Sequence, residues 1–118
     1  MEKELDRLFQ EYSKGKRCKY CKRPAECIHH IIEKSRSFLL RWDLQNAMPV
    51  CIRCHNLIHT GKIKTEKNTY LKNNENKSLK EYLLNKGITK KEYMQNKKKE
   101  LRDATTYYTA KNWAKRKT

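Results

Sequence analysis

Two Cys-x-x-Cys pairs, Cys18-Lys19-Tyr20-Cys21 and Cys51-Ile52-Arg53-Cys54, constrain this chain more than any other feature in it. In a reducing compartment thiolates persist, and paired cysteines on two knuckles supply the tetrahedral sulfur set that zinc prefers. The spacing therefore reads as a structural Zn2+ held by Cys18, Cys21, Cys51 and Cys54, not as disulfides. A staple also suits the composition: the 118 residues are 36% hydrophobic, one domain's length of chain with a small apolar core. Cys27 is left over and reads as a buried thiol on a strand.

Between and around the knuckles the pattern predicts an α+β order. Leu5, Leu8, Phe9 and Tyr12 recur at helical spacing within residues 2–13, with Gly15 as a stop, so an amphipathic N-terminal helix is expected. Residues 27–33 are rich in β-branched side chains and short enough for a strand, followed by a loop to about Asp43. Residues 46–50 can form the second strand of a hairpin, with Pro49 marking an edge. A helix should follow from the second knuckle, placing His55 and His59 on one face and ending at Gly61. Residues 64–77 are polar, rich in Asn and Lys, and read as a linker. Ser78 with Glu81, and Thr89 with Glu92, have capping-box spacing, so two further helices separated by Gly87 are expected. The division this gives is a core with its N-terminal helix over 1–63 and a basic, mostly helical extension over 64–118.

Lys and Arg total 29 against 13 Asp and Glu, a net charge of +16 that exceeds what solubility requires of a small domain. The excess is uneven, with 12 basic and 7 acidic residues in 1–61 but 17 and 6 in 62–118. A polyanionic partner follows, unless the lysines only solvate the surface. No stretch approaches the roughly 18 apolar residues of a spanning helix, so no membrane partner is expected. With no signal peptide at its start, the chain reads as cytoplasmic. In the tail, Lys97, Lys98, Lys99, Lys111, Lys115, Arg116 and Lys117 interleave with Tyr107, Tyr108 and Trp113. That mixture suits phosphate contacts with base stacking, or a small helical core carrying a charged face.

All four histidines fall beside the knuckles: His29 and His30 adjacent on the first strand, His55 and His59 on one helical face. Asn46 stands between the two pairs. Four cysteines already satisfy a zinc ion, so zinc binding does not explain the histidines, unless they merely pad a zinc ribbon. Successive strand residues point to opposite faces, so His29 and His30 can share a site only if the strand is distorted or ends there.

A His pair, a central Asn and a helix with two further histidines resemble the HNH, or ββα-metal, endonuclease motif across residues 18–61. The intervals of 15 residues from His30 to Asn46, 8 to His55 and 3 to His59 are similar to those of the colicin-type DNases. The stretches 8–12 and 39–46 also resemble the phage recombination nucleases called NinG. The resemblance implies a His-Me finger core, with His30 as general base and His29, His55 and His59 as ligands of one catalytic divalent ion. Asn46 would present a carbonyl to the far nitrogen of His30 and fix its tautomer. Many members carry Asp or Glu where this chain has His29. Three imidazoles lean towards Zn, Mn or Ni, with Mg still allowed.

The expectation is therefore a ββα-metal core closed by a four-cysteine zinc site, with an N-terminal helix and a helical basic C-terminal extension. Its implied activity is metal-dependent hydrolysis of DNA phosphodiester bonds. Arg36, Arg41 and Arg53, with Lys97, Lys98, Lys99, Lys115 and Arg116, are candidate phosphate contacts. The resemblance further implies a phage or prophage setting, with a packaging or recombination protein as partner. The rival is a non-catalytic zinc-ribbon DNA-binding module, and RNA as the polymer is a third reading. Sequence is silent on oligomeric state.

Overall fold

In the computed structural model the backbone is described for residues 1–117 and the side chains for residues 1–105. Helix α1 spans Glu2–Glu11 and strand β1 spans Cys27–His30. A short 3-10 turn, Leu44–Asn46, leads into strand β2, Ala47–Val50, which pairs antiparallel with β1 in the register Cys27–Val50 to His30–Ala47. Helix α2, Ile52–His59, starts directly after β2, completing the expected strand, loop, strand, helix order. Helices α3 (Thr69–Asn74), α4 (Leu79–Lys86) and α5 (Lys90–Lys117) follow.

The local chemistry explains the boundaries. Cys51 caps α2 with its own sulfur, which accepts from the Cys54 amide at 3.4 Å, so the second knuckle and the helix start are one feature. Ser78 Oγ accepts from Glu81 N at 3.1 Å, and Gly87 ends α4 at φ 66°, a left-handed conformation that glycine adopts without strain. Before α5 the capping box is reciprocal, with Glu92 N donating to Thr89 Oγ1 at 3.1 Å and Thr89 N donating to Glu92 Oε1 at 3.4 Å.

The stretch expected as a linker is corrected by α3. Asn68 caps that helix through Oδ1 to Leu71 N at 2.8 Å, and Leu71 is fully buried against Ile32 and Leu40. A single apolar anchor in a polar run gives no periodicity to read, yet it pins the segment against the loop before β2. Cys27 lies on β1 as expected but is only partly buried.

The main apolar cluster joins both parts of the chain: Leu5, Leu8 and Phe9 of α1, Trp42 of the loop, and Tyr93, Met94 and Leu101 of α5. A second cluster surrounds the cysteines, with Met48 and Val50 among them. Helix α1 thus lies between the hairpin and α5. Among the described residues no helix is long and apolar enough to cross a membrane.

Candidate functional site

The sulfurs of Cys18, Cys21, Cys51 and Cys54 all lie within 4.8 Å of one another. The first knuckle turns through Lys22 at φ 66° and is closed by Cys18 N donating to the Arg23 carbonyl at 2.7 Å. Cys21 Sγ stands 3.5 Å from Cys51 Sγ. A tetrahedron with Zn–S bonds of about 2.3 Å has edges of about 3.8 Å, so this donor set fits a zinc ion with little adjustment. Four thiolates at this separation would repel one another, and a divalent cation offsets that repulsion.

Across β1 lies the second cluster. Ring nitrogens of His29, His55 and His59 also converge within 4.8 Å, with His55 Nε2 and His59 Nε2 only 2.9 Å apart. Helix α2 places two of these rings one turn apart, and β1 turns the buried His29 towards them, with ring centroids at 5.3 and 5.7 Å. Burial holds His29 down to about 4, reinforced by His55, His59 and His30, and burial with His59 also lowers His55. Neutral imidazoles keep the lone pairs that metal binding needs. Cys27 Sγ stands 3.6 Å from His55 Nδ1, which leaves Nε2 as the nitrogen facing the other rings.

His30, the last residue of β1, lines the same cleft as the other three histidines. Its ring stacks on Phe9 of α1 at 4.6 Å between centroids. Its Nε2 lies 2.9 Å from the carbonyl of Arg41. A carbonyl only accepts, so Nε2 carries the proton and Nδ1 keeps the lone pair. Burial lowers the affinity of His30 for a second proton, while the Arg41 carbonyl and Asp6 oppose that shift.

The contact expected from Asn46 is thereby corrected. Fully buried Asn46 accepts from Ile32 N at 2.7 Å and donates to the carbonyls of Ile32 and Leu40 at 2.9 and 3.1 Å. It staples the loop whose next residue, Arg41, supplies the acceptor for His30. Arg41 is corrected as well: its guanidinium forks onto Asp6 at 2.6 and 3.0 Å and reaches Glu2 at 3.5 Å, so it is neutralised within the fold. Trp42 Nε1 donates to the same Asp6 at 2.9 Å.

A cleft of about 360 Å³ holds His29, His30, His55 and His59, together with Gln10 and Lys34. Arg36 is exposed outside that lining, and Arg53 lines a different cleft at the knuckles. Lys97 pairs with Glu100 at 3.4 Å and Lys98 with Glu4 at 3.0 Å, so two of the expected phosphate contacts have intramolecular partners. Lys99 is exposed. The side chains of Tyr107, Tyr108, Lys111, Trp113, Lys115, Arg116 and Lys117 lie outside the described residues.

Sequence reasoning missed Asp6, Gln10 and Lys34. Gln10 holds β1 like a neighbouring strand, accepting from Ile28 N at 2.9 Å and donating to Ile28 O at 3.1 Å. Its signal in sequence, a polar residue beside the apolar stripe of α1, is indistinguishable from a solvated one. Lys34 follows the His pair closely and was legible as part of the loop, though not as a wall of the cleft.

Compared with models of known families, residues 18–61 match the one described as HNH endonuclease. Searches of curated proteins and of solved structures find no match to the chain.

Proposed function

Residues 18–61 match the HNH endonuclease family, and on that premise we propose that the chain is a metal-dependent endonuclease hydrolysing DNA phosphodiester bonds. The observation that carries this reading is the pairing of three convergent imidazoles with a fourth whose tautomer is set by the Arg41 carbonyl.

His29, His55 and His59 would hold one divalent ion. Bound there, it would neutralise charge on the scissile phosphate and on the departing 3′ oxygen. His30 Nδ1 takes the proton from the water that attacks phosphorus, and the bond from phosphorus to the 3′ oxygen breaks. The Arg41 carbonyl stabilises the resulting imidazolium, since Nε2 keeps its proton throughout. Phe9 keeps the ring from turning. Lys34, on the wall of the cleft, is placed to meet a phosphate oxygen. Asn46 acts through the loop it staples, as a positioning residue.

An all-imidazole donor set favours Mn, Ni or Zn over Mg. The four cysteines would hold a structural zinc. The NinG resemblance favours a phage or prophage setting, and the HNH motif suits a packaging or recombination partner.

The test is relaxation of supercoiled plasmid by wild type and by His30→Ala, after chelation and with Mg, Mn, Ni or Zn restored. Metal-dependent nicking that His30→Ala loses, while still binding DNA, is the expected result. No cleavage with any metal would leave a zinc-ribbon binding module as the better account.

A further inference from the structure

The described basic residues fall into two groups, those answered by a carboxylate and those that are not. Helix α1 concentrates acids, and it neutralises Arg41 through Asp6 and Glu2, Lys98 and Arg102 through Glu4, and Arg7 through Glu11. Lys67 pairs with Glu75 and Lys97 with Glu100. The cysteine lobe has a smaller supply. Residues 14–25 and 44–65, which build both knuckles, β2 and α2, contain nine Lys and Arg and no Asp or Glu; Lys14 is answered by Glu11 at 4.0 Å, and the nearby Glu26 accepts from Ile52 N at the start of α2.

Within that lobe a cleft of about 370 Å³ is lined by Tyr20, Arg23, Arg53, Leu57 and Ile63 beside Cys21 and Cys54. Arg23 and Arg53 are both exposed, and neither has an ion pair among the described residues. Each comes from one of the two knuckles, so the sulfur cluster itself holds the two guanidinium groups beside one cavity. The tyrosine ring forms a wall, with a hydroxyl able to donate to an anion. With zinc bound, the sulfur cluster behind Cys21 and Cys54 is the negative charge nearest to them, and both guanidinium groups remain exposed, with donors open to a further anion such as phosphate. Glu66, the carboxylate acting on Tyr20, does not pair with either arginine.

We propose that this cysteine lobe is a docking surface for the phosphodiester backbone of DNA, with Arg23 and Arg53 gripping phosphate at the Tyr20 cleft. The proposal rests on the reading that DNA is the partner, and it adds a second site apart from the histidine cleft. Residues 53 and 57 fall on one side of α2 and residues 55 and 59 on nearly the opposite side, at 100° per residue. The histidines cut from one side while the arginines hold from the other.

The experiment is fluorescence anisotropy of a labelled duplex across a KCl series, with zinc-loaded protein carrying His30→Ala so that the duplex stays intact. Adding Arg23→Gln and Arg53→Gln should weaken binding roughly tenfold or more and lower the slope of log affinity against log salt by about 1.8, for two lost phosphate contacts. The pair Arg23→Lys and Arg53→Lys should keep the slope, separating charge from any structural effect. Arg102→Gln, which removes an arginine already answered by Glu4, should change affinity less than about twofold. Unchanged affinity and slope in the Gln pair, at unchanged zinc content, overturn the proposal. Because no cleavage is read, failure of the nuclease reading shows separately, as an absence of plasmid nicking.

Discussion

Asp6→Asn keeps the size of the side chain but replaces an acceptor oxygen with a donor, so the residue can no longer hold both the Arg41 fork and the Trp42 indole. The Arg41 carbonyl is then less firmly placed behind His30. We expect a 10–100-fold loss of nicking rate, roughly the scale for groups that orient a catalytic residue. Stability should fall by about 1–3 kcal/mol for the broken charge-assisted bonds. Metal affinity should not change, because Asp6 touches none of the three convergent histidines; a parallel loss in metal titrations would contradict this account. His29 makes a second prediction. Its folded ring takes a proton at about 4, against 6.5 ordinarily, because of burial and its neighbouring imidazoles. Between those values the unfolded chain binds a proton that the folded metal-free chain refuses. Stability is therefore full above pH 6.5 and is lost as pH falls towards about 4, by roughly 3 kcal/mol from this ring. Ring-proton NMR shifts followed from about pH 8 down to about pH 5 should show His29 still neutral. A midpoint near 6.5 would remove the burial argument. The four histidines were legible in sequence because chemistry-bearing side chains stand out there. The acceptor for His30 was not, since a backbone carbonyl has no letter of its own. Arg41 was misread for the opposite reason: its charge was visible and its partner, 35 positions away, was not.

The hairpin has only four residues in each strand, and two strands of that length do not persist alone in water. One side is held by Gln10, while β2 runs directly into the Cys51 knuckle that also starts α2. Stripping the metal, or substituting Cys51→Ser, should therefore release β2 and α2 together. Structural zinc contributes about 10 kcal/mol or more in small domains, comparable with the whole stability of a chain this size. Amide exchange should show protection lost over residues 48–59, whose buried side chains belong to the cysteine cluster, and largely retained at Tyr93 and Met94, which share the other cluster with Ile28 of β1. Uniform loss across both regions would mean that the two clusters unfold as one. At this scale the sequence was most readable, because α1, α4, α5 and the hairpin each carry a periodicity, a cap or a glycine stop. Helix α3 was hard to read because it is held by long-range contacts, Leu71 with Ile32 and Leu40 and Tyr70 with Asp43, which leave the Asn68 cap as its local signal.

Charge and polarity change after residue 61, and that change invites a division into an independent core and a tail. The packing argues for a different relation. Helix α1 buries Leu5, Leu8 and Phe9 in the cluster that contains Tyr93, Met94 and Leu101 of α5, and the same Phe9 stacks on His30. Large apolar side chains contribute about 1.5–3 kcal/mol each on full burial, so α5 supplies much of what keeps α1 in place. Without it, the face of α1 meant for α5 would lie in water, and the helix would be held to the hairpin and loop only by the Gln10 and Asp6 hydrogen bonds and the contacts of Phe9. Leu101, fully buried, is the cleanest probe. Leu101→Ala should cost about 2–5 kcal/mol in urea unfolding, through lost burial and the cavity left behind. A fragment ending at residue 63 keeps all four cysteines and all four histidines, so it should still take up zinc. It should nevertheless fail to nick plasmid, because His30 would lose the stack on Phe9 and the Asp6-anchored carbonyl behind it. Nicking by that fragment at the full-length rate would show that the histidine cleft assembles without α5, and that the shared core serves stability alone.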